Sequence, residues 1–169
     1  MWWTALIPFL LQAILIGFDE GVYHVKRGLP LWERIGHPLD TLTVLLCMGY
    51  VLFVPFSKNA AWGYGALALF STLFVTKDEF VHKEHCPASE QWLHAVLFTN
   101  HPVTLAVAGF LWPVVQGAEV SPWIARWLSE PSIYKHFLTL QFGFMALFLI
   151  YQIVYWNFLW KSTTTSTKN

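Results

Sequence analysis

The chain has 169 residues, of which 56% are hydrophobic and only 12% are charged, a composition outside the range of soluble globular proteins. Its formal net charge is zero, and it offers neither a basic field for nucleic acid nor a glycine-rich phosphate loop. We therefore predict an integral membrane protein whose partner is the lipid bilayer, and we expect no nucleic-acid partner.

Four or five segments are long and apolar enough for transmembrane helices, since a span needs about 20 mainly apolar residues, and we predict about five spans. In chain order they are residues 2–25, 31–56, 59–82, 89–115 and 132–160. We predict an all-α, polytopic membrane protein that forms a single transmembrane domain over residues 1–169. Residues 117–131 are predicted to be an interfacial connector, and the tail 161–169 is predicted to be disordered. In the second span, Pro38 is compatible with either a continuous helix or a helix broken at His37.

The basic residues predict how the chain is oriented. With five spans, seven of the ten lysines and arginines fall on the side of the loops that follow the first and third spans. Because basic residues are concentrated on the cytoplasmic side of membrane proteins, these loops and the C-terminus should be cytoplasmic. We therefore expect the protein to be integral to the cell (inner) membrane, with its N-terminus on the outer side and the ionisable segments on the cytoplasmic side.

Ionisable residues are concentrated in two segments, 19–40 and 78–101, at the ends of the first four predicted spans. In both segments, each helical arm carries a glutamate and a histidine three or four residues apart. The pairs are Glu20 with His24, Glu33 with His37, Glu79 with His82, and Glu90 with His94. Since residues at this spacing share a helix face, each arm can present both groups to one point.

We interpret this pattern as an internal repeat of two helical hairpins, repeat A over residues 2–56 and repeat B over residues 59–115. Packed as a pseudo-twofold pair, the hairpins would bring the eight residues together at one end of a four-helix bundle, with the fifth span outside. Clustered carboxylates repel one another unless a cation binds. We therefore expect two divalent metal ions, with iron as first choice and zinc or manganese as alternatives. The competing interpretation is a set of ion pairs and helix caps at the membrane interface.

The ligand pattern resembles that of di-iron and other dinuclear carboxylate–histidine four-helix-bundle proteins, here in a membrane-embedded form. The resemblance implies bridging glutamates and terminal histidines. It covers the ligand-bearing ends of the bundle, and only Glu79 and His82 have the Glu-x-x-His spacing of the soluble proteins.

Further ionisable residues are candidates for supporting roles. Asp19 and Asp78, which directly precede a candidate ligand in both segments, are expected to accept hydrogen bonds from ligand imidazoles. Asp40 is a candidate ligand or supporting carboxylate, and His101 is expected to line a substrate channel or to bond to a backbone carbonyl. All four are also candidates for proton transfer. His85 is a further candidate ligand, although its position in a loop is equally typical of a solvated residue.

Three functions are compatible with this pattern. A di-iron site at the cytoplasmic membrane face would make an oxidoreductase that acts on an apolar or lipid-like small molecule. Zinc at the same residues would make a membrane lipid hydrolase, with one glutamate as general base. The third function is non-enzymatic metal binding or sensing. The sequence leaves the oligomeric state open.

Overall fold

The computed structural model describes residues 2–160 and is helical, with no strand in this range. The all-α prediction is therefore confirmed for these residues. The predicted tail 161–169 and the side chain of His85 lie outside the described residues, so the expectations placed on them stay predictions.

The helices follow one another through short connections. In chain order they are α1 (Trp2–Arg27), α2 (Leu31–Phe53), α3 (Lys58–Phe74), α4 (Glu79–His85), α5 (Ala88–Val115), α6 (Pro122–Trp127) and α7 (Pro131–Leu159). A 3-10 turn, Val75–Asp78, joins α3 to α4. α2 packs against α3, α5 and α7, while α1 packs mainly against α5.

Four of these helices, α1, α2, α5 and α7, are long and apolar enough to cross a membrane. The most apolar window of α7 is only 11% buried inside the protein, so most of its apolar side chains face outward, as is expected in lipid. Of the five predicted spans, these four have helices that are long and apolar enough, and the fifth is not confirmed. The predicted span 59–82 is divided between α3, which has 17 residues, the 3-10 turn and the start of α4.

α2 is continuous through Pro38, so the break considered at His37 does not occur. Glu33 and His37 consequently stay one turn apart on the same helix, as their spacing requires for a shared face. α5 likewise continues through Pro102 and Pro113.

The hydrophobic core lies toward the end of the bundle opposite the ionisable residues. Trp112 is its largest member and is 1% exposed. Its indole Nε1 donates a 2.8 Å hydrogen bond to the carbonyl of Val54, and Tyr64 Oη donates to the carbonyl of Leu105 at 2.6 Å. The buried polar atoms of these aromatic side chains are therefore paired, and their rings pack together at this end of the bundle. The ionisable side chains lie at the other end.

Candidate metal centre

Four histidines form a closed ring at the polar end of the bundle, one each from α1, α2, α4 and α5. Neighbouring ring centroids are 4.9 Å apart for His24 and His37, 6.2 Å for His37 and His82, 4.1 Å for His82 and His94, and 6.5 Å for His94 and His24. All are buried except His37, which is partly buried. The structure thus brings together the four histidines that were predicted from the two segments.

Two aspartates contact this ring. Asp19 Oδ2 lies 3.1 Å from His94 Nε2 and 3.2 Å from His24 Nε2. Asp78 Oδ2 lies 3.8 Å from His37 Nδ1. Both aspartates are buried. The sequence analysis gave them supporting roles, and these distances place them next to the imidazoles of the ring.

Local helix geometry explains why Asp19 and His24, five residues apart, point to the same place. Residues Asp19–His24 of α1 form a π-helical segment. Its backbone hydrogen bonds join residues five apart, so each hydrogen-bonded turn contains one residue more than in an α-helix. The corresponding residues Asp78 and His82 are only four apart. The π-helical segment therefore accommodates one extra residue in α1.

Two glutamates complete the inner set and share one arginine. Glu33 Oε1 lies 3.5 Å from His82 Nε2, and Glu90 Oε1 lies 3.9 Å from His24 Nε2. Arg27 Nη2 donates to Glu33 Oε2 and to Glu90 Oε1, at 2.9 Å each. The guanidinium compensates two almost fully buried carboxylates, which would otherwise be costly. Arg27 was not predicted as part of the site, although it lies one turn beyond His24 on α1.

Glu20, predicted as a ligand, has the role that was predicted for Asp19. Its Oε2 accepts a hydrogen bond from His24 Nδ1 at 3.1 Å, while Oε1 accepts from Tyr151 Oη at 2.7 Å and from Trp156 Nε1 at 2.8 Å. A proton on Nδ1 leaves Nε2 of His24 as the nitrogen with a free lone pair. This is the arrangement in which a carboxylate orients a metal-binding imidazole.

Glu79, also predicted as a ligand, is exposed at the start of α4. It belongs to none of the groups of metal-binding side chains that the described residues form. Its neighbour Asp78 faces the ring instead. The prediction assumed regular α-helix at this point, whereas a 3-10 turn ends at Asp78 and changes which residue faces inward.

Asp40 is held in an ion pair at the edge of the ring. Lys77 Nζ donates to both of its carboxylate oxygens, at 2.6 and 2.7 Å, and lies 2.9 Å from Asp78 Oδ1. His37, Asp40 and Asp78 nevertheless present ligand atoms within 4.8 Å of one another. Lys77, like Arg27, is a cation of the site that was not predicted.

His101 is buried and lines the cavity described below, while the substrate channel expected there stays a prediction. Its Nε2 is 3.1 Å from Ser71 Oγ, which is 2.8 Å from Thr43 Oγ1. Thr43 in turn donates to the carbonyl of Asp40 at 2.8 Å. Since the hydroxyl hydrogen of Thr43 is used in that bond, Ser71 donates to Thr43 and His101 Nε2 donates to Ser71. The imidazole therefore bonds to a hydroxyl, and not directly to a backbone carbonyl.

Cys86, which lies between α4 and α5, is buried. Its sulfur lies within 4.8 Å of ligand atoms of Glu33 and His82. Burial raises the pKa of the thiol to about 12, so it is protonated at neutral pH unless a cation stabilises the thiolate.

The fit of this centre to metal ions can be tested by its unpaired atoms. Among the side chains that the structure describes, the buried nitrogens and oxygens without a hydrogen bond all belong to the cluster. They are Asp19 Oδ1, His24 Nε2, Arg27 Nε, Glu33 Oε1, His37 Nε2, Asp78 Oδ1, His82 Nδ1 and Nε2, Glu90 Oε2, and His94 Nδ1. Of these, Asp78 Oδ1 still has the nearby charge of Lys77 Nζ at 2.9 Å. Each such atom costs about 1–3 kcal/mol when it is left unpaired. Except for Arg27 Nε, they are carboxylate oxygens and imidazole nitrogens, the atoms that bind divalent metals.

Among the side chains that the structure describes, the largest group that could hold one metal ion consists of Asp19, His24, Glu90 and His94, whose ligand atoms all lie within 4.8 Å of one another. All four residues are buried. A second group, His24 with Glu33 and His37, overlaps with it. The structure therefore contains buried groups of histidines and carboxylates that could hold a metal ion.

The ring also forms one wall of a cavity of about 440 Å³ that extends between α1, α2, α5 and α7. Its lining away from the ring is largely apolar and includes Ile16, Val44, Leu97 and Phe148, one residue from each of these helices. The volume is in the range of small-molecule sites, about 300–1,000 Å³. The candidate metal centre is thus open to an apolar compartment inside the bundle.

A scan against protein-family models, a search of curated proteins and a search of solved structures each found no match to this chain. Support for a function therefore comes from the geometry of the centre and of its cavity.

Proposed function

We propose that this is an integral membrane oxidoreductase that holds two divalent metal ions at the histidine ring and acts on an apolar or lipid-like molecule in the adjoining cavity. The observation that carries the proposal is the convergence of the unpaired buried ligand atoms on one centre. Iron, our first choice, would supply redox chemistry with coordination positions left open for reactants.

Two equivalent ion positions are supported by how the hairpins contact each other. Each inner carboxylate approaches a histidine of the other hairpin. The distances are 3.1 Å for Asp19 with His94, 3.8 Å for Asp78 with His37, 3.5 Å for Glu33 with His82, and 3.9 Å for Glu90 with His24. Exchanging the hairpins maps every one of these contacts onto another, as the proposed repeat requires. One ion would be held by Asp19, His24, Glu90 and His94, and the other by Asp78, His82, Glu33 and His37.

The chain's own residues prepare this centre for its ions. Arg27 binds one oxygen each of Glu33 and Glu90, so each glutamate has its second oxygen available as a ligand. This differs from the bridging glutamates that the resemblance implies. Glu20 keeps the proton of His24 on Nδ1, which directs the Nε2 lone pair to the ion.

The membrane orientation belongs to the same proposal. α3 leads from the core end of α2 back to Asp78 at the ring, so its path covers the depth of the bundle, as a fifth crossing would. The C-terminal end of α7 reaches the ring side, where Trp156 contacts Glu20. With the basic residues on this side in the cytoplasm, the metal centre faces the cytoplasm and the N-terminus lies outside.

The presence of four imidazoles favours a second candidate, a zinc-dependent membrane lipid hydrolase, because nitrogen-rich ligand sets are typical of zinc. Such an enzyme needs a carboxylate as general base. Glu20, Glu33 and Glu90 are each hydrogen-bonded to other side chains. Glu33 and Glu90 nevertheless each keep one oxygen without a hydrogen bond, so one of these glutamates would serve as the base.

Metal analysis of the purified protein tests the proposal. We expect about two ions per chain in the wild type and a loss of metal in His94→Ala. His136→Ala is the matched control, because His136 is exposed and bonds to the Ser132 carbonyl of its own helix. Iron with an oxygen-dependent absorption change supports the oxidoreductase. Stoichiometric zinc with lipid hydrolysis supports the hydrolase, and a wild-type protein without metal contradicts both.

A further inference from the structure

α1 and α7 touch at both ends of the cavity. At one end, Tyr134 Oη donates a 3.0 Å hydrogen bond to the carbonyl of Trp2, and the rings of Phe9 and Phe137 meet edge to face at 5.6 Å. At the other end, α7 binds the carboxylate of Glu20. From Phe9 to Glu20 the helix rises about 16 Å, so the two contacts bracket a stretch roughly half as long as a bilayer core is thick.

Between these contacts the cavity is open to the outside. Ala13 and Gly17 of α1 and Phe144 of α7 line the cavity, yet all three are exposed, Phe144 to 68%. A Cβ atom added at Gly17 or at Gly143 would meet no atom within 4 Å. A residue that both lines a cavity and is exposed lies at its mouth. We call the gap between residues 13–17 of α1 and residues 143–144 of α7 the lateral opening.

The lateral opening faces lipid, because α1 and α7 are both apolar enough to cross a membrane and their most apolar windows are only 22% and 11% buried. A molecule that enters here therefore comes from the bilayer. Water-soluble compounds would have to cross the hydrocarbon region to reach it.

The cavity behind the opening suits an apolar chain. Two of its polar residues have their amide oxygens occupied: Gln152 Oε1 accepts from Thr41 at 2.7 Å, and Gln12 Oε1 accepts from Asn100 at 2.8 Å. The remaining walls are mainly aliphatic and aromatic. Polarity returns at the ring, where unpaired imidazole and carboxylate atoms lie.

From these observations we infer that the cavity binds a single-chain lipid-like molecule taken laterally from the bilayer between α1 and α7, with its oxygen-bearing end at the histidine ring. This inference rests on the proposed function and specifies its substrate class and route of access. The apolar chain occupies the space between the helices, and the polar end reaches the only strongly polar wall of the cavity among the described residues.

Photo-crosslinking in vesicles tests this inference. The probe is a long-chain alcohol with a photoreactive group at mid-chain, and labelled residues are identified by mass spectrometry. We expect labels on residues 12–17 and 141–148 that an excess of unlabelled long-chain alcohol removes and butanol does not. Labels spread evenly over the outer faces of α1, α2, α5 and α7 would overturn the inference.

Gly17→Leu provides the decisive variant, because a Cβ atom at this position meets no existing atom within 4 Å and the rest of the leucine side chain adds bulk at the lateral opening. Gly65→Leu is the matched control: Gly65 is also exposed with open space around it, but it lies on α3 and does not line the cavity. We expect at least about fivefold less labelling in Gly17→Leu and no change in the control.

Metal content measured on the same samples separates the two proposals. Full metal with unchanged labelling in Gly17→Leu overturns the lateral opening and leaves the metal centre standing. Reduced labelling in a protein that binds no metal overturns the proposed function and leaves the lipid site standing.

Discussion

Arg27 and Glu90 are 63 positions apart in the chain, yet the guanidinium of Arg27 donates a 2.9 Å hydrogen bond to the carboxylate of Glu90. The same nitrogen binds Glu33, so one cation connects α1, α2 and α5 at the centre of the ionisable cluster. This makes Arg27 the residue on which both hairpins depend.

Replacing Arg27 by Gln should strongly destabilise the protein, because it leaves two buried carboxylates facing each other without their cation. Breaking a buried ion pair in this way costs about 3–5 kcal/mol. Thermal unfolding in detergent measures the effect, and added metal should recover part of it by binding the freed carboxylates. Arg126→Gln is the control, since Arg126 is exposed on α6. Equal stability of the two variants would contradict the role of Arg27.

Glu20 and Glu79 occupy matching sequence positions and should respond differently to the same change. Glu20→Gln removes the negative charge that orients His24, and loss of such a partner typically weakens metal binding about 10–100-fold. Glu79→Gln should have no effect, because Glu79 is exposed. Metal affinity measured by competition with a chelator distinguishes the two. A comparable loss in Glu79→Gln would restore it as a ligand.

Asp19→Asn and Asp78→Asn should each remove about one of the two proposed ions, because the proposal assigns one aspartate to each ion. The amide of asparagine has nearly the same shape as the carboxylate, but it lacks the negative charge that binds a divalent cation. The metal-to-protein ratio measures the outcome. Retention of both ions in both variants would mean that the aspartates are not ligands.

Removing the metal should lower stability without loss of helix. A ligand that binds only the folded state, at a free concentration of a thousand times its Kd, adds about 4 kcal/mol to the free energy of unfolding. A chelator should therefore reduce the Tm of the wild type. His82→Ala, which lacks one imidazole of the ring, should show a smaller chelator effect. An identical shift in both proteins would show that the chelator acts elsewhere.

Trp112→Ala should destabilise the opposite end of the bundle by about 3–5 kcal/mol, the usual cost of truncating a buried tryptophan. Trp112 packs edge to face against Tyr50 and Phe56, at 5.3 and 5.1 Å. The folded fraction should still bind metal with wild-type stoichiometry, since the ring lies at the other end. Loss of metal from folded protein would show that the two ends are coupled.

The sequence is most informative where periodicity alone decides the structure. Helical spacing on four arms predicts that His24, His37, His82 and His94 can meet, and the structure brings them together. Long apolar runs likewise predict α1, α2, α5 and α7 as candidate spans, in agreement with the structure.

Sequence spacing misleads where the helix departs from α geometry. The prediction chose Glu20 and Glu79 over Asp19 and Asp78 because each glutamate lies three or four residues before a histidine. A π-helical segment in α1 and a 3-10 turn before α4 direct the aspartates inward instead. Local propensity gives little indication of such segments, because tertiary packing stabilises them.

The two cations of the centre could not be assigned from spacing either. Arg27 and Lys77 bind carboxylates on other helices, and Lys77 is 37 residues from its partner Asp40. Contacts of this kind depend on how helices are arranged, which a single sequence does not specify.

The contacts between Asp19 and His94 and between the other cross-hairpin pairs also have a consequence for biosynthesis. The partner of Asp19 is synthesised 75 residues later, a delay of about 4–15 s at 5–20 residues per second. During this time the first hairpin lacks the contacts that His82, Glu90 and His94 supply. The pairs Glu20 with His24 and Arg27 with Glu33 lie within that hairpin. The four-residue group of Asp19, His24, Glu90 and His94 can therefore form only after α5 has been synthesised.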